Sequence, residues 1–359
     1  MFGFLKSKKQ DWSARILPAG KRVEVKAGDN LLKAALAAGL AWPHECRVGS
    51  CGTCRCTLKE GKIKPLSDFS YVLDGDELNA GMILACQTSP RSDLVVEVEL
   101  ESDAAVSVAP YPGVIKKIIR LTHDIVELSI DIDAASPPDY TAGQYAELMV
   151  SDIEKPRSYS FATAPGNHGA GDLMFFIRLV PGGEFTEWLF AGDRSGTPLT
   201  VSAPYGSFWL RPGDAPILCV AGGSGLAPIK ALLEAAQSAA VQRDVTFLFG
   251  ARTQQDLYCL DVMEALANSW SGKHFEFVPV LSEEPPDSDW QGARGMVTDH
   301  LQKQYVETGA IDMQACEGYL CGPPPMIDAA IVVMNAAGLS NERIFFDKFL
   351  DASTMPAGR

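Results

Sequence analysis

The 359-residue sequence lacks several features that would assign it to common protein classes. No apolar run approaches the roughly 20 residues that a membrane-spanning helix needs, so we expect a soluble protein with no membrane partner. Basic residues are scarce, with 31 Lys and Arg against 45 Asp and Glu. The resulting net charge of −14 argues against nucleic acid as a partner, because phosphates demand a basic surface. The first nine residues lack the apolar core of a signal peptide, and we interpret them as a loose tail.

Histidine is also scarce, and its five copies are scattered. Their spacing gives no Ser–His–Asp arrangement and no histidine metal cluster. No Cys-x-His pair occurs, which excludes a Rieske cluster, since that cluster needs two histidine ligands. The nine cysteines are too few, in a chain this long, to be a disulfide framework, so we expect a reducing, cytoplasmic setting. Four of them are interpreted as buried thiols: Cys56, Cys219, Cys259 and Cys316.

Four other cysteines have the spacing of a metal site. Cys46, Cys51 and Cys54 follow the pattern C-x4-C-x2-C, and 31 residues separate Cys54 from Cys86. This is the plant-type spacing for a [2Fe–2S] cluster held by four thiolates. Glycines at 49 and 52 would let backbone N–H groups approach the sulfurs. A structural zinc site is the alternative, but zinc ribbons pair two short C-x2-C knuckles, and Cys86 has no such neighbour.

The chain is too long for one core and suits two or three domains of about 100–150 residues. Residues 10–102 begin with a predicted hairpin, residues 14–17 and 21–25, followed by a short helix that Asp29 caps and Gly39 ends. Leu32, Ala35 and Leu36 share one face of this helix. Later alternating strands complete a small α+β fold, whose order resembles the β-grasp ferredoxins.

Two further domains follow a stretch rich in Ala, Ser and Pro, residues 103–112, which we interpret as a linker. Residues 113–212 contain short strands at roughly ten-residue spacing, separated by Gly and Pro turns, and predict an antiparallel β-barrel. Residues 213–352 change to a strand, glycine turn and helix pattern that repeats. They predict an α/β, doubly wound domain.

Four motifs occur in an order that resembles the ferredoxin–NADP reductase superfamily. They are Arg157-Ser-Tyr-Ser160, Gly183-Glu-Phe-Thr-Glu-Trp-Leu189, Ala221-Gly-Gly-Ser-Gly-Leu-Ala-Pro228 and Cys321-Gly-Pro-Pro-Pro-Met326. With the ferredoxin segment first, residues 12–350 resemble the NADH-dependent reductase components of bacterial multicomponent oxygenases, such as the phenol, toluene and methane monooxygenase reductases. The resemblance implies three cofactors, namely a [2Fe–2S] cluster, FAD and NADH. The glycine loop departs from G-x-G-x-x-G at Pro228, as the superfamily itself does.

The resemblance also implies roles for individual residues. For FAD, it implies that Arg157 pairs with the pyrophosphate, Tyr159 lies on the isoalloxazine and Ser160 hydrogen-bonds near N5, while Gly183 and Thr186 join the pyrophosphate site. For the nicotinamide dinucleotide, it implies that Gly222, Gly223 and Gly225 approach the phosphates and that Cys321 approaches the nicotinamide. Gly322 is predicted to join the cofactor site. Cys321 could equally be an ordinary buried strand thiol. Phe349 would cover the flavin and move aside for nicotinamide, whereas Phe345 and Phe346 are interpreted as core.

Nucleotide preference is predicted from Asp256, which matches an acidic position facing the adenosine ribose in NADH-using relatives. A carboxylate accepts hydrogen bonds from ribose hydroxyls and repels a 2′-phosphate. Arg252 favours NADPH instead, because a guanidinium could bind the 2′-phosphate. We expect NADH to be preferred.

The three cofactors together imply electron transfer, since FAD can join a two-electron hydride donor to a one-electron cluster. The expected acceptor is an oxygenase hydroxylase component or an intermediate ferredoxin. Two alternatives stay open from the sequence. One is a reductase for another acceptor, such as a sugar-deoxygenation enzyme or a separate ferredoxin, and the other is a non-enzymatic redox sensor module.

Overall fold

The computed structural model describes residues 10–44, 49, 52–100, 108–133, 135–169 and 171–349. The chain divides into two compact units, residues 1–106 and residues 107–356. None of the helices in these described ranges is long and apolar enough to cross a membrane.

The N-terminal unit is a small sheet with one helix packed on it. Its elements are β1 (Trp12–Leu17), β2 (Lys21–Val25), α1 (Leu31–Ala37), β3 (Arg55–Glu60), β4 (Ile63–Pro65), α2 (Gly75–Asn79), β5 (Met82–Leu84), β6 (Thr88–Pro90) and β7 (Leu94–Glu97). Five strands form one sheet in the order β2-β1-β7-β3-β5, and β4 pairs with β6 separately. The predicted hairpin is confirmed, because β1 and β2 pair antiparallel, while β1 and β7 pair parallel.

Helix α1 buries Leu32 and Ala35 against the sheet, as predicted, and Gly39 follows its end with a left-handed φ of +73°. The predicted cap at Asp29 is wrong. The cap is Asn30, whose side-chain oxygen accepts from the backbone N–H of Lys33 at 2.7 Å. Asp29 instead accepts from the Lys33 ammonium. Both residue types cap helices, and the helix starts one residue later than the sequence pattern indicated.

The first half of the second unit is an antiparallel barrel. Its elements are β8 (Ala109–Arg120), β9 (Ile125–Ile132), β10 (Tyr145–Val150), β11 (Arg157–Ser160), β12 (Asp172–Arg178), α3 (Glu184–Phe190) and β13 (Pro198–Tyr205). The strand order is β11-β10-β13-β8-β9-β12. A bridge between Phe161, just after β11, and Phe175 of β12 joins the two ends of the sheet.

The linker interpretation fails for residues 109–112, which form the first part of β8. Ala109 to Pro112 pair with β13, whereas pairing with β9 begins only at Gly113. The first four residues of β8 therefore have one strand neighbour rather than two. Prolines 110 and 112 are tolerated there, because an N–H on the side without a strand neighbour has no ladder hydrogen bond to lose.

The second half of this unit is a parallel sheet with helices on both faces. Its elements are β14 (Ile217–Gly222), α4 (Leu226–Ser238), β15 (Val245–Ala251), α5 (Leu260–Ser269), β16 (Phe275–Leu281), β17 (Ala293–Arg294), α6 (Val297–His300, continued by a π-helical stretch, Leu301–Val306), β18 (Glu317–Gly322), α7 (Pro324–Ala336) and β19 (Ile344–Lys348). The order is β17-β16-β15-β14-β18-β19.

The alternation of β14 shows why both faces are covered. Cys219 packs into the core shared with α4 and α5, whereas Leu218 and Val220 pack into the core shared with α6 and α7. The strand order reverses between β14 and β18, and the glycine turn after β14 lies at that point. This is the position where doubly wound sheets bind nucleotides, and the predicted fold class is confirmed.

Candidate redox and nucleotide sites

Cys54 and Cys86 lie together in the core of the N-terminal unit. Both are buried, and the Cys86 backbone N–H donates to the Cys54 sulfur at 3.5 Å. Two bonds fix the Cys54 carbonyl, from the indole N–H of Trp42 at 3.4 Å and from the N–H of Ala85 at 3.1 Å. The predicted ligands Cys46 and Cys51 lie outside the described residues.

Glycines at 49 and 52 have left-handed φ values of +85° and +75°. A Cβ at Gly49 would lie 2.5 Å from Gln87 Cγ, and one at Gly52 would lie 2.9 Å from Val72 Cγ1. Both positions therefore exclude side chains by conformation and by space. Buried thiols, an N–H directed at sulfur and two glycines without room for a side chain are surroundings that suit a thiolate-held cluster, so the described residues fit a [2Fe–2S] group.

Strand β11 carries three of the predicted flavin residues. Arg157 donates from Nη1 to the carbonyl of Lys155 at 2.9 Å, and its Nη2 lies 3.6 Å from the Glu184 carboxylate. The ring of Tyr159 packs against Phe185 with a centroid distance of 5.5 Å. Burial raises the pKa of the Tyr159 phenol, so this side chain is neutral. The guanidinium of Arg157 is the cationic group in this strand.

Gly183 and Thr186 build the turn before α3. The Thr186 hydroxyl is buried, accepts from the Val180 N–H at 3.1 Å and lies 3.1 Å from the Gly183 carbonyl. A Cβ at Gly183 would lie 2.6 Å from the Thr186 oxygen, so glycine is required by close approach. The structure thus shows Thr186 holding the turn, and a direct contact with the pyrophosphate stays a prediction.

The glycine loop after β14 is packed backbone to backbone against the end of β18. A Cβ at Gly225 would lie 2.2 Å from the Cys321 carbonyl oxygen, and one at Gly322 would lie 2.9 Å from the Gly222 carbonyl oxygen. Gly223 has φ +55° with open space around it. The loop and the Cys321 edge can approach this closely only because these positions lack side chains. A glycine turn at the start of a helix is an arrangement that binds phosphates through backbone N–H groups.

Tyr258 anchors this loop, and sequence reasoning missed it. Its hydroxyl donates to the Gly223 carbonyl at 2.8 Å, and its ring meets Phe176 of the barrel edge-on at 5.4 Å. The sequence around it carries no motif that would have identified it.

Ser160, Cys321 and Asp347 come together at the ends of three strands. The Ser160 hydroxyl donates to the Asp347 carboxylate at 3.4 Å, and Asp347 lies beside Cys321 in the register of β18 and β19. Burial, followed by the charge of Asp347, raises the pKa of the Cys321 thiol well above its usual range. Cys321 is therefore a neutral thiol. Asp347 was missed as a site residue, although an acidic residue near the carboxyl end of a parallel strand is a recognisable signal.

Phe349 donates its backbone N–H to the Gly322 carbonyl at 2.9 Å and is partly buried. The predicted packing roles of the other two rings are confirmed, since Phe345 and Phe346 join the cores on opposite faces of the sheet.

Asp256 and Arg252 form an ionic network with the barrel. Asp256 is buried; its two carboxylate oxygens accept from Arg252 at 2.6 Å and from the N–H of Thr253 at 2.9 Å. Arg252 also donates to Asp124 at 3.0 Å. Burial would raise the pKa of Asp124, but the Thr122 hydroxyl and the neighbouring guanidinium groups hold it below its usual value. Both predicted ribose-site residues are thus engaged by other protein groups, and their contact with the nucleotide stays a prediction.

Comparisons with known proteins match this architecture along nearly the whole chain. Residues 14–91 match the 2Fe-2S iron-sulfur cluster binding domain, residues 112–209 the oxidoreductase FAD-binding domain and residues 219–331 the oxidoreductase NAD-binding domain.

Similar proteins include the xylene/toluene monooxygenase electron transfer component of Pseudomonas putida, 46% identical over 92% of this chain and 91% of the relative. The reductase component of phenol 2-monooxygenase from Pseudomonas sp. (strain CF600) is 33% identical over 95% of each chain. Among solved structures, a cytochrome P450 reductase of Amycolatopsis has a TM-score of 0.77 at 31% identity, covering 94% of this chain and 98% of that one. The ferredoxin reductase in carbazole 1,9a-dioxygenase has a TM-score of 0.74 at 28% identity, covering 95% and 99%.

The predicted cofactors and the predicted enzyme class are therefore confirmed, and this chain belongs to the family of iron–sulfur flavoprotein reductases that serve as electron transfer components of oxygenase systems.

Proposed function

We propose that this reductase takes a hydride from NADH and delivers single electrons to the oxygenase component of a hydrocarbon monooxygenase of the xylene/toluene type. The similarity to the xylene/toluene monooxygenase electron transfer component, at 46% identity over 92% of the chain, carries this proposal. The seven described cysteines form no disulfide with one another, which supports the predicted cytoplasmic setting.

The proposed reacting centre is the junction of β11, β18 and β19. When bound, FAD supplies the step between a two-electron donor and a one-electron cluster. Ser160 holds its hydroxyl proton toward Asp347, so its oxygen lone pairs face away from that carboxylate. Cys321 is neutral and apolar in character, and it presents no competing charge where a nicotinamide would lie. Asp347 is the hydrogen-bond acceptor that orients the Ser160 hydroxyl.

The proposed FAD pyrophosphate partner is Arg157, through its forked guanidinium. Glu184 lies 3.6 Å from that guanidinium and is more than half exposed, so it can give way to a phosphate at small cost. The proposed partners of the dinucleotide phosphates are the N–H groups of the loop 222–225.

The proposed preference for NADH is supported by the charge around Arg252. This guanidinium lies between the carboxylates of Asp124 and Asp256, at 3.0 and 2.6 Å. Its charge is therefore largely compensated, and a 2′-phosphate would meet two carboxylates as well as the guanidinium. Replacing Asp256 with Asn should raise kcat/KM for NADPH relative to NADH, because it leaves Arg252 less compensated. A wild-type enzyme with higher kcat/KM for NADPH than for NADH would reverse the preference.

Reconstitution tests the acceptor. The cluster- and FAD-loaded chain, supplied with NADH, should reduce an artificial dye by itself and should support turnover of a purified xylene/toluene-type hydroxylase without another protein. Turnover only after addition of a separate ferredoxin would instead favour an arrangement with an intermediate ferredoxin. Dye reduction without turnover in either mixture would refute the proposed acceptor class.

A further inference from the structure

The N-terminal unit contains one buried hydroxyl oxygen that lacks a hydrogen-bond partner. Ser67 Oγ is shielded from solvent, and it is the only buried side-chain N or O atom without a partner among the described residues. Buried polar atoms are nearly always paired, because an unpaired one loses its hydration without compensation. The unpaired Ser67 hydroxyl therefore indicates a partner other than the described protein groups.

The position of Ser67 shows where that partner lies. A Cβ at Gly49 would be 3.2 Å from Ser67 Oγ, so the hydroxyl packs against Gly49, which lies in sequence between Cys46 and Cys51. The neighbouring residue Leu66 donates its N–H to the carbonyl of Gln87 at 2.8 Å. Gln87 directly follows Cys86. The Ser67 hydroxyl therefore lies beside the glycine of one ligand-bearing segment, and the preceding residue is bonded to the residue that follows the fourth ligand.

We propose that the Ser67 hydroxyl donates a hydrogen bond to a sulfur of the [2Fe–2S] group, either an inorganic sulfide or a cysteine thiolate, and thereby raises its reduction potential. Sulfur in a reduced cluster carries more negative charge, and hydrogen bonds to charged acceptors are stronger than those to neutral ones. Hydrogen bonds to the sulfurs are one of the features that set the potential of such clusters. Ser67 would thus favour movement of an electron from FAD to the cluster.

Ser70 is a matched control from the same segment. Its hydroxyl donates to the Asp68 carboxylate at 2.8 Å, and the side chain is exposed. Serine at 67 and serine at 70 therefore differ in whether the hydroxyl already has a protein partner.

The test is redox titration of the full chain carrying FAD and the cluster, with cluster absorbance and electron paramagnetic resonance as readouts. Ser67→Ala should lower the cluster potential and shift the electron distribution between FAD and cluster several-fold toward FAD. A tenfold shift corresponds to 59 mV for a one-electron couple. Ser67→Thr keeps the hydroxyl and should stay closer to wild type, whereas Ser70→Ala should leave the potential unchanged.

Two outcomes would overturn this proposal. One is an unchanged potential in Ser67→Ala with normal cluster content. The other is a lower cluster content with an unchanged potential in the loaded fraction, which would mean that Ser67 contributes to packing around the cluster and not to its potential. NADH-dependent dye reduction through FAD should be the same in all variants, so failure of the proposed hydride chemistry would be seen separately.

Discussion

The ion pair between Lys230 and Glu234 offers a quantitative test of how the nucleotide-binding helix is held to the flavin strand. Both residues lie on α4, and their side chains are only 5% and 12% exposed. Lys230 donates to the Ala162 carbonyl at 2.9 Å, and Glu234 accepts from the Ala164 N–H at 3.1 Å. The pair therefore joins the helix that begins at the glycine loop to the segment that follows β11.

Replacing Lys230 with Met leaves the Glu234 carboxylate almost buried without its cation. Breaking a buried pair in this way costs about 3–5 kcal/mol. For a unit of this size, the midpoint temperature of unfolding falls by about 2–4 °C for each kcal/mol of lost stability. The Lys230→Met variant should therefore unfold about 6–20 °C lower. Hydride transfer should also slow, because the glycine loop and the flavin strand lose their shared anchor.

The assay is thermal unfolding followed by flavin fluorescence, with stopped-flow reduction by NADH at a temperature where each variant is folded. Lys116→Met is the matched control, since it makes the same substitution in the exposed pair with Asp172, where the loss should change the unfolding temperature little. In a double-mutant cycle, the variant with both Lys230→Met and Glu234→Gln should lose about 2 kcal/mol less unfolding free energy than the sum of the losses in the two single variants. The reasoning would be refuted if the Lys230→Met variant unfolded within 2 °C of the control and if the stability losses of the two single variants simply added in the double variant.

Three further predictions concern the cofactor sites. Cys51→Ala should abolish or severely damage the cluster while NADH-driven dye reduction continues, and intact visible and paramagnetic signals would exclude Cys51 as an essential ligand. Phe349→Ala should alter hydride-transfer kinetics and the flavin spectrum and increase peroxide release, with an unchanged cluster spectrum; if kinetics, flavin absorbance and peroxide yield all match wild type, the residue is ordinary packing. Gly225→Ala should lower kcat/KM for NADH by about 100-fold at normal FAD content, because its Cβ would lie 2.2 Å from the Cys321 carbonyl oxygen. Gly192→Ala, where a Cβ meets nothing within 4 Å, should behave as wild type, and equal kinetics in both variants would contradict the close-approach argument.

Local patterns were sufficient to predict the three-part architecture. The hairpin of β1 and β2, the buried face of α1 and the glycine turn after β14 all depend on residues close in sequence, whose spacing matches a strand, a helix or a turn. The cofactor classes followed from cysteine spacing and from motif order, and the family comparisons confirmed them.

Several site features could not be predicted, because they depend on partners distant in sequence. Asp347 becomes a site residue only when β19 pairs beside β18 and brings it to Ser160, 187 residues away. Tyr258 reaches Gly223 across 35 residues. No local periodicity encodes these distances.

The sequence by itself determined which residue types were present for each kind of chemistry: thiolates at cluster spacing, glycines where backbones approach, and a forked guanidinium on the flavin strand. Only the tertiary structure decided which polar groups already have partners. The Thr186 hydroxyl is already hydrogen-bonded within its own turn, and the two carboxylate oxygens of Asp256 accept from Arg252 and Thr253. Ser67 Oγ, by contrast, has no partner among the described residues. The physical reason is that a polar side chain is available to a ligand only if the fold has not already satisfied it, and satisfaction is a property of neighbours in space.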